Sequence, residues 1–141
     1  MCFSCHQLGF PTSVACDSEG NLFIADNSRH SIVKFDSEGN ILQSIGHKSV
    51  TFPMGVCVAP FYWVSCNSYE EFLICVDNHI SLNINIFTLD GTHVASLQSV
   101  TRHNHLLAVA IDQVSKPNSL VFSSKDCRIF RYFIPQSLII C

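Results

Sequence analysis

The sequence predicts an all-β chain built from repeated four-stranded antiparallel sheets. Short runs rich in β-branched and aromatic residues alternate with turns that contain Asp, Asn and Gly. This pattern recurs after 42 residues, as the pairs Phe10-Pro11 and Phe52-Pro53 show. No stretch keeps a period of 3.6 residues, so we expect little helix.

The first unit, residues 9–46, is the clearest of the repeats. Its strands are expected at 13–16, 22–25, 31–35 and 41–45, with turns at 17–21, 26–30 and 36–40. In these turns Asp and Asn tolerate unusual backbone angles, and Gly supplies a positive φ. Four short strands with a turn at every junction predict an antiparallel meander.

Two further units follow. The second spans 51–98 and contains an inserted loop, 60–71, between its first and second strands. The third spans 106–134 and is degenerate, because Ser123-Ser124 stands where the first unit has Ala25-Asp26. Outside the units, 1–8 is an N-terminal stub, and 135–141 is a C-terminal tail that begins with a strand-breaking proline.

Four strands in each repeat of about 42 residues predict a partial β-propeller of about three blades. Propellers typically have four to eight blades, so three are too few to close a ring. Three explanations stay open. The chain is a fragment of a longer protein, or self-association of two arcs completes a propeller, or the chain is a degenerate fragment without independent activity.

A family resemblance rests on motifs in the first two units. The first unit carries Asp17-x-x-Gly20-Asn21-Leu22-Phe23-Ile24-Ala25-Asp26 and then Ile32-Val33-Lys34-Phe35-Asp36-x-x-Gly39. The second unit matches in part through Val76-Asp77-Asn78-His79 and Ile86-Phe87-x-x-x-Gly91. These segments resemble NHL repeats, and the resemblance covers roughly residues 9–134.

The resemblance implies a function as well as a fold. NHL repeats form propeller blades, most often six, which serve as protein-interaction modules in RING-type ubiquitin ligases, including tripartite-motif proteins. We therefore expect a non-catalytic scaffold that binds a protein partner or ubiquitination substrate, as the recognition segment of a RING-type ligase lineage. RNA binding by a propeller face is the alternative. The net charge of -3 and the absence of a basic stripe disfavour RNA.

Composition and the N-terminal sequence predict a cytoplasmic location without a membrane segment. Residues 1–6 lack the basic start and apolar core of an export signal. The longest uncharged run, 49–69, is broken by prolines and a glycine. Without export, we expect Cys16, Cys57 and Cys75, which lie in apolar runs, to be reduced and buried as small core residues.

Two groups of residues are candidates for binding a partner. Arg29, His30 and His79 follow the second-strand Asp in successive units, so they are expected on one rim of the propeller. Tyr62 and Trp63 lie in the inserted loop, and such aromatic residues are favoured as interface anchors. Solvated turn residues, for the first group, and a loop packed on its own blade, for the second, are the alternatives.

No catalytic residue, cofactor or metal site is expected. Asp26, Asp77 and Asp112 recur at repeat positions, which favours turn formation over catalysis. No G-x-S-x-G, P-loop or H-E-x-x-H motif occurs, so an enzyme is not predicted. The motif Cys2-x-x-Cys5-His6 fits a haem-attachment pattern or half of a zinc site, but lacks an export signal and a second cysteine pair. His103 and His105 likewise lack a third ligand.

Overall fold

The computed structural model describes residues 6–63, 68–78, 81–99, 106–114 and 119–134, with Tyr62 and Trp63 described as strand backbone alone. Over these residues the chain forms eleven β-strands in three antiparallel sheets and no α-helix. The prediction of an all-β partial propeller is confirmed. No helix in this part of the chain has the length and apolarity needed to cross a membrane.

The first blade contains four strands in chain order: β1 (Pro11–Cys16), β2 (Leu22–Asp26), β3 (Ser31–Phe35) and β4 (Ile41–Ile45). The sequence Asp-Ser-Glu-Gly-Asn forms both the β1–β2 and the β3–β4 turn. Asp17 Oδ1 accepts the backbone N–H of Asn21 at 2.8 Å, and Asp36 Oδ1 accepts that of Asn40 at 2.8 Å. The glycines adopt φ of 85° and 91°. Identical sequences therefore give identical turns.

The second blade contains four strands: β5 (Pro53–Trp63), β6 (Ser68–Asn78), β7 (Leu82–Thr88) and β8 (His93–Ser99). The loop expected over 60–71 is wrong for residues 60–63 and 68–71, which belong to β5 and β6; residues 64–67 lie outside the described residues. Their ladder pairs Pro60 with Glu71 and Trp63 with Ser68. Pro60 is tolerated because β5 is the edge strand of its sheet, where a missing N–H breaks no second ladder.

The third blade contains three strands among the residues that the structure describes: β9 (Leu106–Asp112), β10 (Ser119–Ser124) and β11 (Ile129–Phe133). Ser124 pairs with Leu106 at the place where Asp26 pairs with Pro11 and Asp77 pairs with Pro53. The third blade thus repeats the first two in register, with serine in place of the acidic residue.

The three blades stack face to face, with β1 beside β5 and β5 beside β9. We call the side of a blade that faces the following blade its forward face, and the opposite side its backward face. Alternate residues of β6 enter different cores. Leu73 and Cys75 pack against the first blade, with Phe23 and Ile32, while Ile74 packs against the third, with Leu120. Both faces of the central blade are therefore buried.

Hydrogen bonds also cross the boundary between the first two blades. Thr12 Oγ1 donates to the Pro53 carbonyl at 2.9 Å, and the Val56 N–H donates to Ser13 Oγ at 3.1 Å. These bonds join the inner strands β1 and β5, whose neighbouring backbones would otherwise leave polar groups without partners at a buried edge. The inner side of the arc is therefore held by hydrogen bonds as well as by apolar packing.

The cysteines divide into buried and exposed thiols. Cys57 and Cys75 are buried as expected, but Cys16 is exposed, so that expectation is wrong. Cys16 lies on the backward face of the first blade, opposite Leu22, where no preceding blade covers it in the described part of the chain. An apolar alternating run cannot reveal whether its outer face has a neighbour.

Alkylation of the native protein with iodoacetamide at pH 8 should modify the exposed Cys127 at least about tenfold faster than Cys57 and Cys75. The thiolate is the reactive form. Burial raises the pKa of Cys57 to about 12, and burial, with the nearby Asp77 and Cys57, raises that of Cys75 well above its usual value. Peptide mass spectrometry measures each site, and denatured protein is the control. Equal native rates at Cys127 and Cys75 would contradict the fold.

Candidate interaction surfaces

The antiparallel meander gives the arc two rims with different connections. The β1–β2 and β3–β4 turns and their equivalents lie on one rim, which we call the hairpin rim. The β2–β3 turns and the segments that link successive blades lie on the opposite rim, which we call the linker rim. Residues on different rims are separated by the length of a strand, about 3.3 Å per residue.

Asp26 organises the linker rim of the first blade. Its buried carboxylate accepts the backbone N–H groups of Gly9 at 2.7 Å, Phe10 at 3.0 Å and Ser28 at 3.1 Å. Burial acts to raise the pKa of Asp26, but these hydrogen bonds and that from Arg29 outweigh it, so the pKa is lowered. The carboxylate thus fastens the incoming segment to the end of β2.

The equivalent residues of the other blades differ in how far they keep this contact. Asp77 accepts the Thr51 N–H through Oδ2, while its Oδ1 is buried without a hydrogen bond. Ser124 hydrogen-bonds Asp126 and the Arg128 carbonyl, both within its own β10–β11 turn. The fastening of the incoming segment therefore weakens from the first blade to the second.

Asp112 lies at the end of β9, the first strand of its blade, so it is not equivalent to Asp26 and Asp77 and the expected recurrence is wrong for it. It accepts the Val114 N–H at 2.9 Å and lies 3.3 Å from the Arg131 guanidinium. Hydrogen bonding to nearby backbone N–H groups is thus seen for Asp26 and Asp112, as turn formation requires. Among the described residues, no group of three His, Cys, Asp or Glu side chains could hold a metal ion.

Arg29 and His30 lie in the exposed β2–β3 turn on the linker rim. Arg29 Nε is 3.7 Å from Asp26 Oδ2, and His30 Nδ1 is hydrogen-bonded to the Thr51 carbonyl of the following link. The φ of His30 is 52°, in the left-handed region. His79, the third residue predicted for this surface, lies outside the described residues. A binding role for this group stays a prediction.

Tyr62 and Trp63 lie at the far end of β5, on the hairpin rim. The two predicted groups are therefore not brought together, and they define two separate surfaces. Tyr69 pairs with Tyr62 across the β5–β6 ladder and is 73% exposed. It was not among the residues predicted to bind a partner. The sequence signal for this pairing is a second β-prone run, 68–72, close in sequence to the first.

The extended part of β5 and β6 forms an arm, residues 60–63 and 68–71, that is fixed at its base. Phe61 is buried and packs edge to face on Phe72, with ring centroids 5.8 Å apart. Glu71 Oε2 accepts both the N–H of Ser18, at 3.0 Å, and its Oγ–H, at 2.7 Å. The arm is thus held by the core on one side and by the first blade on the other.

A cleft of about 290 Å³ lies between β4 and the β7–β8 turn. No sequence pattern predicted it. His93 on its wall hydrogen-bonds Ser96 Oγ at 2.7 Å, and Ser96 donates to Asn85 Oδ1 at 2.7 Å. Because the serine proton is committed to the amide oxygen, the His93 ring donates to Ser96 and does not act as its base. The pair is structural in this arrangement.

The NHL repeat family matches residues 8–35. The matched residues contain β1, β2 and β3 of the first blade. Among solved structures, it is similar to BBS1N in complex with ARL6DN, with a TM-score of 0.63 and 12% identity over 94% of this chain and 40% of the other. It also matches a streptogramin B lyase structure, with a TM-score of 0.33 and 10% identity over 89% of this chain and 55% of the other. No curated protein matches it.

The comparisons limit what is shared to the fold and one repeat. The chain spans 40% of the length of the BBS1N chain, which it resembles in fold. The matched repeat contains the Asp26 contacts and the Arg29-His30 turn, whereas the β5–β6 arm lies outside it. The arm is an extension relative to the first blade, since β5 and β6 have 11 residues each, whereas β1 has 6 and β2 has 5.

Proposed function

We propose that the NHL-repeat chain is a non-catalytic scaffold that binds a protein partner through the β5–β6 arm. The observation that carries the proposal is an arm extending along the hairpin rim, anchored at Phe61 and Glu71, with Tyr69 exposed. A tyrosine on a rigid support offers a large contact area at a small cost in conformational entropy. Such residues dominate the binding energy of protein interfaces.

The fold comparison supports a protein as the partner. BBS1N, the similar solved structure, is in complex with another protein, ARL6DN. Loops and extensions placed on a rigid scaffold commonly carry binding functions. The net charge of -3 gives no general attraction to a nucleic acid backbone. These observations favour a protein over RNA as the molecule that contacts the arm.

Tyr69→Ala should weaken partner binding at least tenfold while the chain stays folded, because a hot-spot aromatic contributes above about 2 kcal/mol. A photo-crosslinking amino acid at position 69 of the full-length chain in cells identifies the partner, and titration measures its affinity. Phe10, 62% exposed on the linker rim, is the matched control. A partner that crosslinks to position 10 but not to position 69 would show that the Arg29-His30 surface, and not the arm, binds the partner.

RNA is the second outcome that this experiment distinguishes. Crosslinks at position 69 that disappear after nuclease treatment, with affinity falling steeply as salt rises, would identify RNA as the ligand and overturn the proposal. Crosslinks to a protein that resist nuclease support it.

We further propose that the partner is a ubiquitination substrate, and that the chain is the recognition segment of a RING-type ligase lineage. The proposal follows from the NHL repeat at residues 8–35 and from the interaction arm. Depletion of the chain should lower polyubiquitin on the partner captured at position 69, and restoring the Tyr69→Ala variant should not recover it. Unchanged ubiquitin on a genuine partner would reject the ligase role and retain the scaffold.

A further inference from the structure

The forward face of the third blade exposes a position that the other blades bury. Ile32, Ile84 and Ile129 occupy the same place in successive blades, since each follows the β2–β3-type turn and pairs with the second strand. Ile32 is 0% exposed and Ile84 is 3% exposed, because each lies in the core against the following blade. Ile129 is 78% exposed. The third blade therefore has an exposed isoleucine at the position that the following blade buries in the first two blades.

The backward face of the first blade shows the complementary exposure. Val14 pairs with Ile24 as Val56 pairs with Cys75. Val56 is 2% exposed in the core between the first two blades, whereas Val14 is 62% exposed. The open part of this face is its inner half, because Val33 on β3 is already buried. The arc thus ends in two different, mutually complementary faces.

The forward faces of the first and third blades each carry a positively charged side chain, Lys34 and Arg131. Lys34 pairs with Phe23 as Arg131 pairs with Val121, so the two cations occupy equivalent positions. Lys34 Nζ crosses to the next blade and donates to the Leu89 carbonyl, in the β7–β8 turn, at 3.1 Å. The equivalent turn of the first blade, residues 36–40, carries Asp36 and Glu38. A first blade placed after the third would therefore present an acidic turn to Arg131.

We propose that the third blade of one copy packs its forward face on the backward face of the first blade of a second copy. Ile129 and Ala110, which is on the inner strand β9, would cover Val14 of the second copy. Arg131 would face the 36–40 turn of that copy. A contact between two different faces must close a ring or propagate as a filament. Two copies give six blades, within the four to eight of known propellers, whereas three copies give nine. The assembly is therefore a closed ring of two chains.

Light scattering after size exclusion of the full chain tests this proposal. The wild type should have twice the monomer mass, and Ile129→Glu and Val14→Glu, both at exposed positions, should each have the monomer mass with unchanged circular dichroism. Mixing the two variants should restore dimers, because a mixed pair keeps one intact contact. Tyr69→Ala, which tests the partner-binding arm, should stay dimeric, so failure of either proposal is recognised separately.

Three results would overturn the proposal. They are a wild-type chain that stays monomeric at every concentration measured, a dimer that survives Ile129→Glu, and variants that do not complement each other on mixing. The last result would indicate a contact between identical faces, for which Val14 and Ile129 would not both be needed.

Discussion

Asp26→Ala should lower the free energy of unfolding by about 2–4 kcal/mol, since it removes a buried carboxylate that accepts several partly buried N–H groups. The N–H groups of Gly9 and Phe10 lose their bonds to the carboxylate, and the Ser28 N–H and Oγ–H lose theirs as well. Chemical denaturation followed by circular dichroism measures the change. Asp36→Ala is the matched control, because Asp36 bonds a similar turn but at the surface, and it should cost less.

The same carboxylate should make stability depend on acidity. The pKa of Asp26 is lower in the folded chain than its usual 3.8, since its hydrogen bonds outweigh the effect of burial. Its stabilisation is therefore fully present above the unfolded pKa and is lost as the pH falls through the folded pKa. Stability of the wild type should fall more steeply below pH 4 than that of Asp26→Asn. Parallel curves would show that Asp26 contributes nothing to acid sensitivity.

Gly55→Ala should destabilise the protein by about 1–3 kcal/mol, the usual cost of overpacking a core. A Cβ at Gly55 would lie 2.5 Å from Val109 Cγ1 and 3.1 Å from Val109 Cβ. Gly55 is in β5 and Val109 is in β9, so neither backbone can move without disturbing a ladder. The glycine is required by the close approach of two inner strands, and its φ is not in the left-handed region.

A double-mutant cycle separates this clash from a general effect of alanine. Val109→Ala removes the obstructing Cγ1 and costs stability by itself. Gly55→Ala in the Val109→Ala background should then cost at least about 1 kcal/mol less than in the wild type. Equal costs in both backgrounds would show that the boundary between the second and third blades relaxes around an added methyl group, and that β5 and β9 are not closely packed.

The sequence predicted local structure well where a residue's conformation depends on its neighbours in the chain. The Asp17–Asn21 and Asp36–Asn40 turns are clear because Asp, Gly and Asn act within five residues. The inserted segment was misjudged because Pro60 indicates a break, and only the sheet order shows that β5 is an edge strand. The exposure of Cys16 and the burial of Val56 illustrate the same limit. Each depends on whether a neighbouring blade covers that face, which no local sequence pattern indicates.

The candidate surfaces were predicted in part, for the same reason. Arg29 and His30 follow a recurrent Asp, so their turn was placed on a rim from repeat position alone. Tyr69 was missed because its exposure follows from pairing with Tyr62 across a ladder that was expected to be a loop. The separation of the two surfaces follows from strand direction, which became clear only once the insertion was known to continue the strands.

The third blade has Ser124 at the position where the first two blades have Asp26 and Asp77, so the hydrogen bonds at this position differ between the blades. In the first two blades a carboxylate joins the end of the second strand to the segment that enters the blade, whereas among the described residues the Ser124 hydroxyl bonds Asp126 and the Arg128 carbonyl of its own turn. Thermal opening spreads first through units with the fewest such cross-links. We therefore expect the third blade to open first on heating, and we expect a neighbouring blade packed on it to slow that opening.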